Sequence, residues 1–273
     1  MQDVLPYADW LYESWKAACE KEHVFGSKMQ TARRLFGSAA PEHRFFLASS
    51  SGGSGALYLH CGELLIAGDE AFDPSALFNW LSVQGVTQVN GRLEICRRLQ
   101  AKMGGELESS YFMRYPFSRP PLAEGAGLET ARTLEDCFRV LCQSHEYYRA
   151  HLRYEPWAEE LSRKLESGLG QLAMIYEDGK PVATGSIASE DEQTAVLAAI
   201  AVIPSARGRG LGRRISAGLT ARVLEMGKQP MLISGYDAVA ELYRGLGYEE
   251  CGRWGELCLS SGVLSGTRLP DGG

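Results

Sequence analysis

The stretch AVIPSARGRGLGRRI, residues 201–215, decides the fold that we expect for this chain. An apolar run ends there at a proline, a turn with three glycines follows, and an amphipathic segment begins at Leu211. A helix that starts in this way leaves several N–H groups without an intrahelical partner, and the positive end of its dipole lies there. Glycines let an anion come close to those groups. The stretch therefore predicts a strand, a loop that binds phosphate or pyrophosphate, and a helix.

Two common kinds of phosphate loop do not fit this sequence. A P-loop requires Lys and then Ser or Thr after its last glycine, whereas Gly212 is followed by two arginines. A dinucleotide-binding loop requires another glycine at position 213 and an acidic residue after the next strand. Position 213 is Arg, and the next strand ends in ISG, residues 233–235. The predicted anion loop is therefore of another kind.

The segments around this loop predict an α/β fold, α+β by some conventions, with a mixed sheet flanked by helices. Two apolar runs upstream, Gln171–Glu177 and Pro181–Ala188, are joined by a tight turn and read as paired strands. Helical patterns precede them at Leu134–Gln143 and Trp157–Leu165. The elements predicted downstream are a helix at 211–226, a strand at 231–233, a helix at 238–246 and a strand at 254–259. Paired strands followed by a strand–helix–strand crossover are typical of a mixed sheet.

The loop and a second segment resemble two motifs of the GNAT family of acetyltransferases. Arg207–Gly212 fits the family's pattern Arg/Gln-x-x-Gly-x-Gly/Ala, and Val202-Ile203-Pro204 precedes it as in the family. AELYRGLGY, residues 240–248, resembles Ala-x-x-Leu-Tyr-x-x-x-Gly-Phe/Tyr, although its alanine is out of register. The family often has Asn seven residues before the motif's tyrosine, where this chain has Tyr236. The resemblance covers residues 128–260.

The resemblance implies a site for an acyl-CoA, with acetyl-CoA as the co-substrate and no metal. The strand Thr194–Val202 is expected to diverge from the strand Met231–Ile233, with the pantetheine arm in the gap between them. One backbone N–H near the arm would polarise the thioester carbonyl. The implied cofactor-binding residues are Ala201, Val202, Arg207, Gly208, Arg209, Gly210, Leu211, Gly212 and Arg213, and Arg214 would add charge beside them.

The same resemblance makes Tyr243 the catalytic residue. It would act as the general acid that protonates the leaving thiolate, because a phenol keeps its proton at neutral pH. The implied acceptor is a primary amine, on a small molecule or a peptide. No general base is singled out among the candidates, which are His145, Glu146, Tyr147, His151, Glu177 and Glu190.

The first half of the chain shows a faint repeat of the second. Residues 86–115 and 231–260 share a pattern of strand, helix, glycine and strand, with Gly104 aligned to Gly247. The first half contains nothing that resembles the Gly/Arg loop. We therefore predict two similar halves, of which only the second has an intact cofactor site.

The predicted domain boundary lies in a segment rich in Pro, Gly and Ala, residues 117–127. We assign residues 1–122 to a degenerate GNAT-like domain and residues 123–273 to a GNAT acetyltransferase domain with the acyl-CoA site. The role of the first half is left open between completing the acceptor pocket and forming an interface.

The composition of the chain limits the kinds of partner that the protein is expected to bind. The net charge of −6 and the pI near 5.5 argue against a basic face for nucleic acid. No apolar run is long enough to span a membrane, and the first residues do not resemble a signal peptide. We expect a cytoplasmic protein that binds neither nucleic acid nor membrane, and a homodimer is left open.

The seven cysteines are scattered and include no CxxC pair. This arrangement argues against a zinc site or a disulfide framework and favours reduced thiols. His60 and Cys61 are neighbours in a strand predicted at Ala56–Cys61. Because neighbouring strand residues point to opposite faces, we expect these two side chains not to pair.

The sequence thus predicts an acyl-CoA-dependent N-acyltransferase that transfers an acetyl group to a primary amine by direct attack on the thioester. The alternative is a non-catalytic CoA-binding or interaction protein on a GNAT scaffold. A further alternative keeps the transfer and changes the acceptor to a hydroxyl group or a protein N-terminus.

Overall fold

The computed structural model describes residues 4–68, 70–120, 122, 127–235 and 237–259. The chain forms two compact units. The first contains residues 1–111 and 252–273, and the second contains residues 112–251. Within the described part of the chain, no helix is long and apolar enough to cross a membrane.

The first unit is a sheet with helices on both faces. Its strands are β1 (Val4–Pro6), β2 (Arg44–Ser50), β3 (Gly53–His60), β4 (Glu63–Gly68), β5 (Gln88–Arg92), most of β6 (Glu106–Arg114) and most of β11 (Glu249–Cys258). Its helices are α1 (Tyr12–Cys19), α2 (His23–Phe36), α3 (Leu77–Gln84) and α4 (Leu93–Met103). Strands β1 to β4 pair antiparallel in order, and β5 then pairs parallel with β4.

Side chains on the strands of the first unit point alternately to the two faces of the sheet, and apolar residues are buried on both faces. Leu57 and Leu59 of β3 belong to one buried cluster together with Leu81 of α3 and Leu99 of α4. Trp15 of α1 is fully buried among aromatic rings on other elements. Because successive strand residues point to opposite faces, a central strand with apolar residues at every position is covered on both sides.

The second unit contains the segment that decided the fold. Its strands are β7 (Gln171–Glu177), β8 (Lys180–Glu190), β9 (Thr194–Val202) and β10 (Gln229–Ser234). Its helices are α5 (Leu134–Ser144), α6 (Glu146–His151), α7 (Tyr154–Glu166), α8 (Leu211–Glu225) and α9 (Asp237–Leu246). The order is β7-β8-β9-β10, antiparallel except for the parallel pair β9–β10 that α8 connects. The predicted mixed sheet flanked by helices is confirmed.

Helix α8 packs closely on β8 because one strand residue has no side chain. A Cβ atom at Gly185 would lie 2.5 Å from Ile215 Cγ2 and 2.9 Å from Leu219 Cδ1. Both side chains are fully buried on α8. The helix that carries the Gly/Arg loop at its start is thereby seated directly on the sheet, which fixes the position of the loop.

The two repeated segments, residues 86–115 and 231–260, end in the strands β6 and β11, and each of these strands lies next to the first strand of the other segment. In the first unit, β11 from the end of the chain pairs antiparallel with β5, with Trp254 opposite Arg92. In the second unit, the last residues of β6 are followed by Tyr115, whose N–H donates to Pro230 O of β10 at 2.9 Å. The first compact unit therefore contains most of a strand from the second half of the sequence, and the second unit contains only the end of β6.

The limits of the compact units differ from the domain boundary predicted between residues 122 and 123, which stays a prediction. The units divide within β6, after Tyr111, and within β11, after Cys251. The described residues of the predicted linker, 117–120, 122 and 127, lie in the second unit. The strand–helix–glycine–strand pattern of both repeats is confirmed, and a common origin of the two halves stays a prediction.

Candidate active site

The Gly/Arg loop opens α8 as the sequence predicted. The first intrahelical bond runs from Arg214 N–H to Gly210 O at 2.9 Å, so the N–H groups of the preceding helical residues point out of the helix start. Gly208 and Gly210 have φ angles of 74° and 75°, in the left-handed region that favours glycine. A Cβ atom at either position would meet nothing within 4 Å. The loop therefore presents open space beside a helix start.

Strand β9 leaves β10 just before this loop. The pairing between them runs from Thr194 opposite Gln229 to Leu197 opposite Leu232. Beyond that point β9 continues to Val202 alongside β8. The predicted divergence of these two strands is confirmed, and it leaves one edge of the second half of β9 open.

A bulge lies in the middle of the open part of β9. Ala199 has a φ of 53°, and two residues of β9, Ala199 and Ile200, face the single residue Gly185 of β8. A bulge re-aims the backbone groups of the strand that carries it. Sequence reasoning missed this feature, because alanine carries no signal for a left-handed backbone.

The side chain of Arg209 is bound within the protein. Its guanidinium donates to both carboxylate oxygens of Glu177, over 2.8 Å and 2.6 Å. A bidentate pair of this kind fixes both side chains and offsets their charges. Glu177 is therefore an anchor for the loop, and this pairing counts against it as a general base.

Three other arginines tie the loop and α8 to neighbouring backbone. Arg207 donates through Nη2 to the carbonyl of Ser144 at the end of α5. Arg213 and Arg214 donate to carbonyl oxygens over 3.0 Å each. The acceptors are Gly245 at the end of α9 and Gly127. The start of α8 is thus connected to α5 and α9.

Tyr243 of α9 lies beside α8, next to Ser216 in the second turn of α8. Its side chain is 6% exposed, and its hydroxyl is hydrogen-bonded to the side chain of Ser216. Ser216 Oγ in turn donates to Gly212 O at 2.9 Å. Burial raises the pKa of Tyr243 to about 12, against a smaller opposing effect of the Ser216 bond. The phenol therefore keeps its proton at neutral pH and is linked through Ser216 to the glycine loop.

Tyr248 has a different place from Tyr243. It is 2% exposed, and its hydroxyl lies 2.6 Å from Thr220 Oγ1. Thr220 Oγ1 donates to Ser216 O, so the Tyr248 hydroxyl is the donor to Thr220. Burial also raises the pKa of Tyr248. This second motif tyrosine, between α9 and β11, is bonded to α8 at Thr220.

The side chains considered as bases are engaged locally. His145 caps α6 by accepting from Tyr147 N–H at 3.1 Å, and the His151 ring stacks on Tyr147 at 4.6 Å. Glu190 forms an ion pair with Lys228 at 3.0 Å. Glu146 is exposed on α6 and pairs with Arg149 at 3.9 Å. None of them is distinguished as the base by this geometry.

Sequence reasoning missed Tyr148, which follows two of these candidates on α6. Tyr148 packs against the buried cluster that includes Cys137 and Leu141 of α5 and Ala201 of β9. Burial raises its pKa, and its phenol is close enough to Tyr243 to raise the pKa of that group slightly. Tyr148 is therefore close both to the cluster that includes Ala201 of β9 and to Tyr243.

A basic cavity of about 360 Å³ lies beside the first turn of α8 and the end of α9. Three arginines line it, and they are Arg119, Arg213 and Arg244. Gly247, with a φ of 101°, lines its wall and allows the close approach of the Tyr115 ring. The sequence patterns did not single out Arg119 or Arg244, because single arginines on a surface carry no spacing signal.

Comparison with known proteins agrees with this geometry. Residues 129–248 match the model of the acetyltransferase (GNAT) family. This range contains the open strand, the loop and Tyr243. Over these residues the second half of the chain therefore resembles the acetyltransferases of the GNAT family. No curated protein sequence matches the chain.

Solved structures share the fold over nearly the whole chain. An acetyltransferase of the GNAT family from Colwellia psychrerythraea is 14% identical, with a TM-score of 0.61 over 95% of this chain and 100% of that one. A GCN5-related N-acetyltransferase from Kribbella flavida is 19% identical, with a TM-score of 0.61 over 93% and 98%. A tandem GNAT protein from the clavulanic acid biosynthesis pathway is 14% identical, with a TM-score of 0.62 over 94% and 97%. At these identities the likeness shows the common fold.

Proposed function

We propose that the protein transfers an acetyl group from acetyl-CoA to a primary amine by direct attack of the amine on the thioester. The observation that carries this proposal is the opening of β9 away from β10 immediately before the Gly/Arg loop. The unpaired edge of β9 would bind the extended pantetheine arm of acetyl-CoA, and the Gly/Arg loop at the end of that edge would bind its phosphates. Acyl transfer is the activity of the family, and the acetyl donor, the amine and the direct attack are our proposal.

The residues present fit the phosphates and the arm of acetyl-CoA. N–H groups from Arg209 to Arg213, at the start of α8, would hold the pyrophosphate, since the space at Gly208 and Gly210 is open. The backbone of Ala201 and Val202 would bind the arm along β9. Acetyl-CoA, when bound, would supply an acyl group already activated as a thioester.

We assign the nucleotide end of acetyl-CoA to the basic cavity. Arg213 belongs to both sites, since it lies in the first turn of α8 and also lines that cavity. The guanidinium groups of Arg119 and Arg244 would add charge for a phosphate on the ribose. Both form ion pairs with glutamates, Arg119 with Glu249 at 3.2 Å, and Arg244 with Glu241 at 2.6 Å and with Glu250 at 3.5 Å. The acidic partners would hold the arginines in place without excluding a phosphate.

We propose Tyr243 as the general acid that protonates the leaving thiolate of CoA. Its phenol is buried, protonated at neutral pH and linked by Ser216 to Gly212 of the loop. The proton would pass to the sulfur of CoA as it leaves, because a thiolate generated in a buried site needs a donor nearby. The amine must reach the carbonyl with a free lone pair, and the group that removes its proton is unassigned.

Release of the CoA thiol in the presence of a panel of amines tests this function. We expect release that depends on both acetyl-CoA and an amine, with an acetylated amine as the second product. Hydrolysis without an amine is the background to subtract. Acetyl-CoA that binds without any amine-dependent release would favour the non-catalytic alternative, and release with alcohols alone would move the acceptor to a hydroxyl group.

A further inference from the structure

Helix α6 directs one side chain, that of Tyr148, into the second unit. Tyr148 is half-buried, whereas every other residue of α6 is exposed. Its neighbour Tyr147 is 61% exposed. The backbone of Tyr148 is fixed at the end of the helix, because its carbonyl oxygen accepts from Leu152 N–H over 2.8 Å. The two adjacent tyrosines of α6 therefore have different surroundings.

The ring of Tyr148 packs on a buried cluster at the end of β9. The cluster contains Cys137 of α5 and Ala201 of β9, and the bulge residue Ala199 packs against the same cluster. Cys137 Sγ lies 3.2 Å from Thr184 Oγ1, and Thr184 of β8 is the strand partner of Ala201. Burial raises the pKa of Tyr148, and Tyr147 and the Cys137 thiol raise it further. The phenol of Tyr148 therefore lies near Cys137, at the level of Ala201.

The cluster and helix α8 lie on opposite faces of the sheet. Cys137 of α5 is bonded to Thr184, whereas Ile215 of α8 lies against the next residue of β8, Gly185, where a Cβ atom would be 2.5 Å away. Successive residues of a strand point to opposite faces. Tyr148 therefore approaches β9 from the α5 face, and Tyr243, which lies beside α8, approaches from the other.

The two phenols nevertheless come near each other. Burial is the main cause that raises the pKa of Tyr243, and the phenol of Tyr148 raises it slightly further. Such an effect falls off with distance. Two side chains from opposite faces can approach each other where the sheet is open, which is beyond the last pair of β9 with β10, Leu197 opposite Leu232. Tyr148 therefore reaches the open part of β9.

We propose that Tyr148 determines how long an acyl group the site accepts. This inference rests on the proposed function, in which the arm of acetyl-CoA lies along Ala201 and its sulfur near Tyr243. Acyl carbon atoms beyond the thioester then meet the ring of Tyr148. On this face β9 contributes the small side chains of Ala199 and Ala201, so the bulk comes from Tyr148. A methyl group fits beside the ring, and a longer chain has to displace a ring that is packed on a buried cluster.

Calorimetry with acetyl-CoA and butyryl-CoA tests this limit on the full-length chain and needs no acceptor. We expect the unmodified protein to bind acetyl-CoA at least about tenfold more tightly, within the range by which pockets discriminate one methylene group. Tyr148→Ala should bind butyryl-CoA at least as tightly as acetyl-CoA, because the added methylene groups are then buried without a clash. Tyr148→Phe should keep the preference for acetyl-CoA, since the ring remains.

Tyr147→Ala is the matched control, because it removes the adjacent, exposed tyrosine ring of the same helix. We expect this variant to keep the preference for acetyl-CoA. Equal affinities of the unmodified protein for the two ligands would overturn the proposal without any variant. A preference that survives in folded Tyr148→Ala, or that is lost equally in Tyr147→Ala, would also overturn it. Altered selectivity for amines in Tyr148→Ala with an unchanged affinity ratio would place the ring on the acceptor side and overturn the acyl limit.

The affinity ratio also separates this proposal from the proposed function. A protein that binds acetyl-CoA and transfers nothing to any amine would contradict the function, and its ratio would still decide the role of Tyr148. Transfer from acetyl-CoA together with equal affinities for both acyl-CoA molecules would support the function and overturn only the acyl limit.

Discussion

Individual side chains around the start of α8 are held by a short chain of hydroxyl groups. Tyr243 binds Ser216, Ser216 donates to Gly212 O, and the Ser216 carbonyl accepts from Thr220, which binds Tyr248. The two motif tyrosines are therefore attached to the same helix at successive turns. Only Tyr243 reaches the residue that leads to the glycine loop, so the two hydroxyl groups can be told apart by experiment.

Replacement of Tyr243 by Phe keeps the ring and removes the proton donor. If the phenol protonates the leaving thiolate, turnover should fall by roughly 10²–10⁴-fold, as expected for a lost general acid. Affinity for acetyl-CoA should change little, because the loop and strand backbone would bind the ground state. Tyr248→Phe is the matched control, since it removes an equally buried hydroxyl that is bonded to Thr220. Turnover that is unchanged in Tyr243→Phe, or lost equally in both variants, would contradict the assignment.

Replacement of Gly210 by Asp tests the anion loop. An aspartate would fill the open space at the start of α8 and place a negative charge where phosphates are proposed to bind. We expect calorimetry to show acetyl-CoA binding that is lost or greatly weakened. Gly227→Asp is a close control at the other end of the helix, because Gly227 also has a positive φ of 70° and open space around it. Full affinity in a folded Gly210→Asp protein would place the phosphates elsewhere.

At the scale of elements, α8 and the sheet are joined by close packing at Gly185. A methyl group there would press against Ile215 at 2.5 Å, where a real Cβ contact is not found. We expect Gly185→Ala to lower the free energy of unfolding by about 1–3 kcal/mol, as other overpacked cores do. Urea unfolding measures the loss. Gly212→Ala on the same helix has its nearest contact at 3.7 Å and should be neutral or slightly stabilising. Equal stability of both variants would show that α8 can move off the sheet.

The elements are also the scale at which the sequence was most informative. The strand at Thr194–Val202 and the helix from Leu211 were predicted with the bounds that the structure has, within one residue. Hydrophobic periodicity and the positions of proline and glycine predict helices, strands and turns from short stretches of sequence. The bulge at Ala199 and the turn conformation of Cys61 were missed, because tertiary contacts impose a left-handed backbone on residues that carry no such signal. The candidate base side chains were named without their partners, since spacing does not reveal ion pairs such as Arg209 with Glu177.

For the whole molecule, the two halves are alike in topology and unlike in chemistry. Both contain a strand, a helix that ends before a glycine and a further strand, yet only the second has the Gly/Arg loop. We therefore expect one acetyl-CoA per chain in a calorimetric titration. The expected stoichiometry follows from the N–H groups at the start of α8, which have no counterpart in the sequence of the first half. A stoichiometry of two would show that the first half also binds the cofactor.

The positions of β6 and β11 lead us to expect that neither half of the chain folds when it is separated from the other. A fragment of residues 1–122 lacks β11, which pairs with β5 and supplies Leu257 to the core of the first unit, and it lacks Leu259 just beyond β11, which belongs to the same core. A fragment of residues 123–273 lacks residues 112–122 of the second unit, including Tyr115, whose N–H donates to Pro230 O. Each fragment would expose a buried strand edge and lose apolar contacts. We expect neither fragment alone to give a cooperative urea transition by circular dichroism.

Co-expression of the two fragments is the matched control, because it keeps the same break in the chain and supplies both β6 and β11. The pair should co-purify, unfold cooperatively and bind acetyl-CoA, since the break lies outside every helix and strand of the described chain. A fragment 123–273 that folds alone and binds acetyl-CoA would contradict the prediction. It would mean that the Gly/Arg loop, α8 and the open part of β9 keep their geometry without residues 112–122, and that these residues contribute little to the stability of the second unit.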